Sequence, residues 1–401
     1  MTPWLHVVGI GEDGLSGLSA AARAQVETAE VIVGGDRHHA LAPNITAERV
    51  AWPSPFDAMI AAIRGYRGTR VVVLVTGDPL WFSVGARLSN PKYEAHIPAN
   101  EIVYHPQLSA FQWAAARMGW SLADTETLTA HGRPAEQIVP AFWPGARLLI
   151  LTAGAQTPGE IAALLTARGF GESRLTVLGA LGGPDEKRID GLAQDWHAPS
   201  PAFHTLAVEV AGAGRLLPRI PGLPDDAFTH DGTMTKREIR ALTLAKLMPA
   251  RGEWLWDIGC GCGSVSVEWM RAAPDALATG IDHRAERLTM ARINANQLGT
   301  PRLALVEGRA PDALAGLPAP HAVFIGGGLS EAVIDAALAA LRRGGRLVAN
   351  AVTLESEALL TQAHAAHGGD LVRLSVARAE AVGPYRGWRA AMPVTQWSLL
   401  T

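Results

Sequence analysis

The stretch Glu253-Trp254-Leu255-Trp256-Asp257-Ile258-Gly259-Cys260-Gly261-Cys262-Gly263-Ser264 decides the fold of the C-terminal half. A short apolar run reaches an acid and passes into a loop with glycine at every second position. Glycine lets a backbone turn sharply and come close to a ligand. A helix starting near Ser264 presents unpaired N–H groups and the positive end of its dipole to that ligand. A phosphate loop would end in Gly-Lys-Ser/Thr, and no lysine stands here. The dinucleotide pattern would need its third glycine at position 264, which is Ser264.

Reading outward, the next strand, Ala278-Thr279-Gly280-Ile281-Asp282, also ends in an acid. An acid at that strand tip is placed to accept both ribose hydroxyl hydrogens. Later strands end in Val306-Glu307-Gly308-Arg309-Ala310-Pro311 and Phe324-Ile325-Gly326-Gly327-Gly328. Loops at the carboxyl ends of successive parallel strands converge on one crevice. The glycine spacing after Asp257 resembles motif I of class I methyltransferases, which use S-adenosylmethionine. The resemblance implies donor contacts at Gly259, Cys260, Gly261, Cys262 and Gly263, with ribose at Asp282 and adenine at Ala310. The two cysteines are read as small residues tolerated beside glycine, not as a redox pair.

The N-terminal half alternates short apolar runs with Ala- and Leu-rich stretches. The pattern predicts strands at 5–8, 31–33, 71–75, 147–151 and 175–178, and helices at 19–28, 107–118 and 159–167. This rhythm predicts parallel sheets with helices on both faces. Gly9-Ile10-Gly11-Glu12-Asp13-Gly14 matches a dinucleotide loop, a weak signal taken alone. Four further segments follow in order: Thr76-Gly77-Asp78-Pro79-Leu80, His105-Pro106-Gln107-Leu108-Ser109-Ala110-Phe111-Gln112, Thr127-Leu128-Thr129-Ala130-His131-Gly132-Arg133 and Leu151-Thr152. With Val177–Arg188, this series resembles the tetrapyrrole methylase family over roughly residues 3–211. The resemblance implies a two-lobed fold with S-adenosylmethionine in the cleft, and contacts at Gly9, Gly11, Gly77, Asp78, Ser109, Ala110 and Thr152. Many relatives have proline after the second glycine, where this chain has Glu12.

The bulk numbers fit this division. The chain has 401 residues, 48% of them hydrophobic and 18% charged, enough for two or three cored domains. A net charge of -3 points away from nucleic acid and anionic membranes. Two cysteines one residue apart make neither a disulfide framework nor a zinc site, so no metal is expected and a reducing cytoplasm is. Met1-Thr2-Pro3-Trp4 carries no secretory pattern, and no run reaches the ~18 apolar residues of a membrane span. Prolines and glycines crowd 212–228, read as a linker between a 1–211 domain and a 229–401 domain.

The expected architecture is therefore α/β throughout. A two-lobed tetrapyrrole methylase half precedes a Rossmann-like class I methyltransferase half with a mostly parallel sheet. The pairing resembles the decarboxylating methyltransferases of corrin precursors, and Met234-Thr235-Lys236 before the first helix of the second half adds to it. The resemblance implies two S-adenosylmethionine sites per chain, a donor contact at Thr235 and a homo-oligomer. It also implies methylation of the macrocycle at C5 by the first half. The second half would methylate C15 and release CO₂ from the ring C acetate. Substrate carboxylates need cationic partners. Lys236, Arg237 and Arg240 are the candidates, with Arg117 and Arg133 behind them, and His131 and Glu355 are candidate acid–base groups. Three alternatives stay open: another tetrapyrrole substrate, a non-catalytic binding half, and a nicotinamide-dependent N-terminal half.

Overall fold

The structure, a computed structural model, describes residues 3–52, 58–91, 93 and 96–401. Met1 and Thr2, read above for a secretory pattern, lie outside the described residues. The chain divides into two compact units: residues 1–135 with 141–215, and residues 216–401 with 136–140.

The first unit holds two sheets. The first contains β1 (Leu5–Ile10), β2 (Val31–Gly34), β3 (Glu48–Ala51), β4 (Val71–Thr76) and β5 (Ile102–His105), ordered β3-β2-β4-β1-β5 and parallel throughout. Val71–Val75 is buried on both faces, as an unbroken apolar run in a parallel sheet requires. The second contains β6 (Glu126–Thr129), β7 (Arg147–Leu151), β8 (Arg174–Gly179), β9 (Lys187–Leu192) and β10 (His204–Glu209), ordered β6-β7-β10-β8-β9.

Here the sequence rhythm misled: only β6–β7 is parallel, and the other three pairings are antiparallel. The reason is connection length. A parallel pair needs a crossover of a dozen residues or more, whereas the short turn from β8 into β9 returns the chain antiparallel. The helix expected over 107–118 starts later, as Ala110–Met118. Gln107 turns its amide to the Gly17 carbonyl, and the Ser109 N–H donates to Gln112 Oε1 at 2.6 Å, setting the start of the helix.

The second unit holds β11 (Trp254–Ile258), β12 (Leu277–Asp282), β13 (Ala304–Glu307), β14 (Ala322–Ile325), β15 (Arg346–Ala351), β16 (Asp370–Leu374), an exposed ribbon of β17 (Ala377–Val382) and β18 (Tyr385–Ala390), and β19 (Val394–Leu400). The main sheet runs β13-β12-β11-β14-β15-β19-β16. β11 to β15 are parallel, and β19 is antiparallel to both neighbours. Chain order reverses at β11, which opens a crevice beyond its carboxyl end. Leu255, Trp269 and Phe324 pack one face of this sheet; Trp256, Ile258 and Trp397 pack the other. Among the described residues no helix is long and apolar enough to cross a membrane.

The Pro/Gly stretch is fastened rather than loose. Gly212 and Gly214 sit against the backbone of 168–170 in the first unit, while Leu223 and Phe228 enter the core of the second. The Gly222 and Leu223 N–H groups donate to the Glu268 carboxylate at 2.6 and 2.9 Å. Arg240 donates to that carboxylate at 2.6 Å, to the Thr235 carbonyl at 2.6 Å, to Asp225 at 3.1 Å, and to the Leu223 carbonyl. This corrects the sequence reading of Arg240. It is wholly buried and its guanidinium is committed, so no substrate carboxylate reaches it.

Removing one partner of a buried ion pair strands the other, at a cost of about 3–5 kcal/mol. Arg240→Leu should therefore lower unfolding stability by that order, while exposed Arg237→Leu stays within about 0.5 kcal/mol. Denaturant titration read by tryptophan fluorescence checks this, and equal losses would contradict it.

Candidate active sites

In the second unit the crevice is built from strand ends. Gly259, Gly261 and Gly263 all have positive φ, at 70, 54 and 74°. A Cβ on Gly259 would lie 2.7 Å from the Gly327 backbone, so the loops after β11 and β14 touch there. The helix Ser264–Ala272 starts directly after Gly263. Asp282 ends β12, is buried, and holds the loop in place. Its Oδ2 accepts from the Gly261 N–H at 3.0 Å and its Oδ1 from the Arg284 N–H at 3.0 Å. The Gly308 N–H donates to the Asp282 carbonyl at 3.0 Å, which brings the Glu307–Pro311 segment and Ala310 to the same edge.

Asp257 lies behind the loop. Its Oδ2 accepts from the Ser266 N–H at 3.0 Å and hydroxyl at 2.6 Å, whereas Oδ1 is buried without a partner. Burial pushes its carboxyl up to about 6, opposed by the Ser266 hydrogen bonds and reinforced by the Asp282 charge. Cys260 and Cys262 are buried free thiols, and burial raises both. They are protonated at neutral pH and contribute main chain rather than redox chemistry.

The segment over the loop is also pinned. Asn294 accepts from the Thr229 N–H at 2.8 Å and donates to the carbonyls of Thr229 and Cys262 at 2.9 and 2.8 Å. Arg287 pairs with Asp231 at 2.9 Å. Thr235 is half-buried and gives its carbonyl to Arg240. Lys236 donates to the Gly232 carbonyl at 3.2 Å and Arg237 is exposed. Glu355 is exposed in the first turn of the helix after β15. Asn294, Ser266 and Glu268 carried no motif, and sequence reading missed them; a polar residue recurring on an apolar helix face is the only signal they give.

In the first unit three strand-end loops meet. A Cβ on Gly9 would lie 1.8 Å from the Gly77 carbonyl oxygen, and one on Gly77 would lie 2.9 Å from Ser109 Cα. Gly9 is thus required by loop packing. Asp78 accepts from the Leu80 N–H at 2.7 Å and closes its own turn. Thr152 donates to the His204 carbonyl at 2.7 Å. Gly11, Gly77 and Ala110 do line a cleft, together with Glu12, Arg37, Trp113, Leu181, Phe203 and His204. Arg37 pairs with Glu12 and stacks 3.8 Å over the Phe203 ring. Buried without partners around it are Arg37 Nε, Ser109 Oγ and His204 Nε2. Arg117 is spent on Glu186, while His131 and Arg133 are exposed in the turn after β6.

Each unit thus carries a strand-end loop cluster with orphaned buried polar atoms. Asp257 Oδ1 in one, and Ser109 Oγ, His204 Nε2 and the donor Arg37 Nε in the other, suit a ligand bearing amine, ammonium and hydroxyl donors and a carboxylate acceptor, as S-adenosylmethionine does.

Comparison with known proteins decides the family. The tetrapyrrole (corrin/porphyrin) methylases match residues 4–196 and the precorrin methyltransferase domain matches 226–401. A Sinorhizobium protein named precorrin-6Y C(5,15)-methyltransferase (decarboxylating) is 47% identical over 99% of this chain and 96% of its own length. The chain belongs to the family of decarboxylating precorrin-6Y C5,15-methyltransferases. Two shorter proteins also match. A Pyrobaculum calidifontis protein named probable cobalt-precorrin-6B C(15)-methyltransferase (decarboxylating) is 39% identical over 43% of this chain and 93% of its own length. A Salmonella typhimurium protein named cobalt-precorrin-7 C(5)-methyltransferase is 32% identical over 47% of this chain and 90% of its own length.

Asp257 gives this site a pH signature. Its folded carboxyl titrates near 6 against 3.8 for the unfolded group. Between those values the folded chain binds the extra proton, so stability falls as pH rises through that window, by on the order of 3 kcal/mol. The stability of wild type relative to Asp257→Asn should fall by that order from pH 4 to 7. Parallel pH profiles of the two proteins would contradict it.

Proposed function

We propose that the chain transfers methyl groups from two S-adenosylmethionine molecules, one per unit, to C5 and C15 of precorrin-6B, and removes the ring C acetate carboxyl as CO₂, giving precorrin-8. The observation that carries this reading is kinship along the whole chain with the C5,15 enzymes, over two units that each carry a strand-end nucleoside-type site.

The division of labour assigns C5 to the residues 1–211 domain, and C15 with decarboxylation to the 229–401 domain, joined through 212–228. The shorter relatives, named for C15 or for C5 alone, support it. The methyl donor supplies a sulfonium methyl that is already electrophilic. A macrocycle carbon contributes the electron pair of the new C–C bond while the C–S pair stays on sulfur. In decarboxylation the acetate C–C bond breaks, its pair flows into the conjugated ring, and a proton replaces CO₂. The chain's residues therefore have to align rather than activate. Gly259–Gly263 and Asp282 fix the donor in the second unit, with Thr235 and Ala310 as further donor contacts in this reading. In the first unit Gly11, Gly77 and Ala110 form the wall. Trp81 and Phe82, exposed and packed 5.0 and 5.9 Å from Phe111, offer apolar surface for a macrocycle face. Lys236 and Arg237 remain the cations for its carboxylates in the second unit.

Self-association belongs to the same reading, and the exposed Tyr385 and Trp388 on the β17–β18 ribbon support it. Calorimetry with S-adenosylhomocysteine should give two equivalents per chain, and light scattering of that sample more than one chain per particle. Asp282→Ala should abolish C15 methylation and CO₂ release while C5 methylation survives. Equal loss of both methylations in a folded variant would contradict the division.

A further inference from the structure

His204 begins β10 and is 6% exposed, yet neither motif nor family resemblance drew attention to it. Its Nδ1 lies 2.7 Å from the Pro201 carbonyl oxygen. A carbonyl only accepts, so Nδ1 carries the ring hydrogen and Nε2 is left with its lone pair. Burial lowers the imidazole's basicity, which keeps that lone pair free at neutral pH. Nε2 is buried and has no partner, and His204 lines the cleft of the first unit. Its main chain is held separately, through the Thr152 hydroxyl.

A lone pair in a closed site selects its ligand. It repels carboxylates, which excludes the acidic arms of a corrin precursor and the donor's own carboxylate. The same cleft is lined by the apolar Leu178, Ala180, Leu181 and Trp113, and its charged groups, Arg37 and Glu12, are paired with each other. A flat apolar ring with an N–H donor on its edge meets both conditions.

We infer that His204 Nε2 accepts the exocyclic amine of the donor's purine, and so selects adenosyl over other nucleosides in the N-terminal site. This rests on the reading of that cleft as a methyl-donor site. Calorimetry on the full chain tests it, with S-adenosylhomocysteine and with S-inosylhomocysteine, whose carbonyl replaces the amine. Wild type should bind two equivalents of the adenosyl compound, with one site preferring it over the inosyl compound by roughly tenfold. His204→Phe keeps the ring and removes the acceptor. It should weaken adenosyl binding at one site by roughly tenfold and erase the preference there. His204→Gln, with an amide acceptor, should retain part of both. An unchanged preference at both sites in His204→Phe would overturn the inference. A single equivalent in wild type would instead sink the two-site reading. The His204 contact would then fall too, unless that one equivalent is the one His204→Phe weakens.

Discussion

The hydrogen bond from the Gly261 N–H to the Asp282 carboxylate organises the C-terminal unit's site. The glycine loop has positive φ at three positions and little side chain to hold it. A carboxylate at the tip of the neighbouring strand supplies the missing anchor, and it ties two parallel strand ends into one rim. Each carboxylate oxygen of Asp282 accepts one backbone N–H and retains a second lone pair. The acid can therefore shape the loop and still receive ribose hydroxyls. Around it the same logic repeats: Ser266 holds Asp257, Asn294 ties Cys262 to Thr229, and Glu268 with Arg240 fastens the incoming chain.

Much of this unit was legible in the sequence because its signals are local. Strand β11, the alternating glycines and the acid at the end of β12 lie within 30 residues, and each carries a backbone or hydrogen-bonding reason. Arg240 shows the limit. One turn into a helix that follows the Thr235 segment, it read as a substrate cation, yet it is buried against Glu268, Asp225 and the Leu223 carbonyl. Its partners lie far off in sequence, and nothing in the local pattern separates a solvated helix face from a buried one.

The N-terminal unit was harder for a physical reason. Its glycines work on each other before they work on any ligand: Gly9 exists for the Gly77 carbonyl, and Gly77 for Ser109. The parallel first sheet followed from the apolar runs, but the antiparallel strands β8–β10 depend on short returns that a helix–strand rhythm does not announce. The groups that give this cleft its polar character, Arg37 with Glu12 and His204, sit outside the motifs that marked the fold.

Whether two donor sites on one chain serve one macrocycle is read out by mass spectrometry of the product that the full chain makes from precorrin-6B and methyl-deuterated S-adenosylmethionine. The expected product carries two labelled methyl groups and lacks one CO₂. A product that gains only one labelled methyl group, or keeps every carboxyl with excess donor and full conversion, would contradict this expectation.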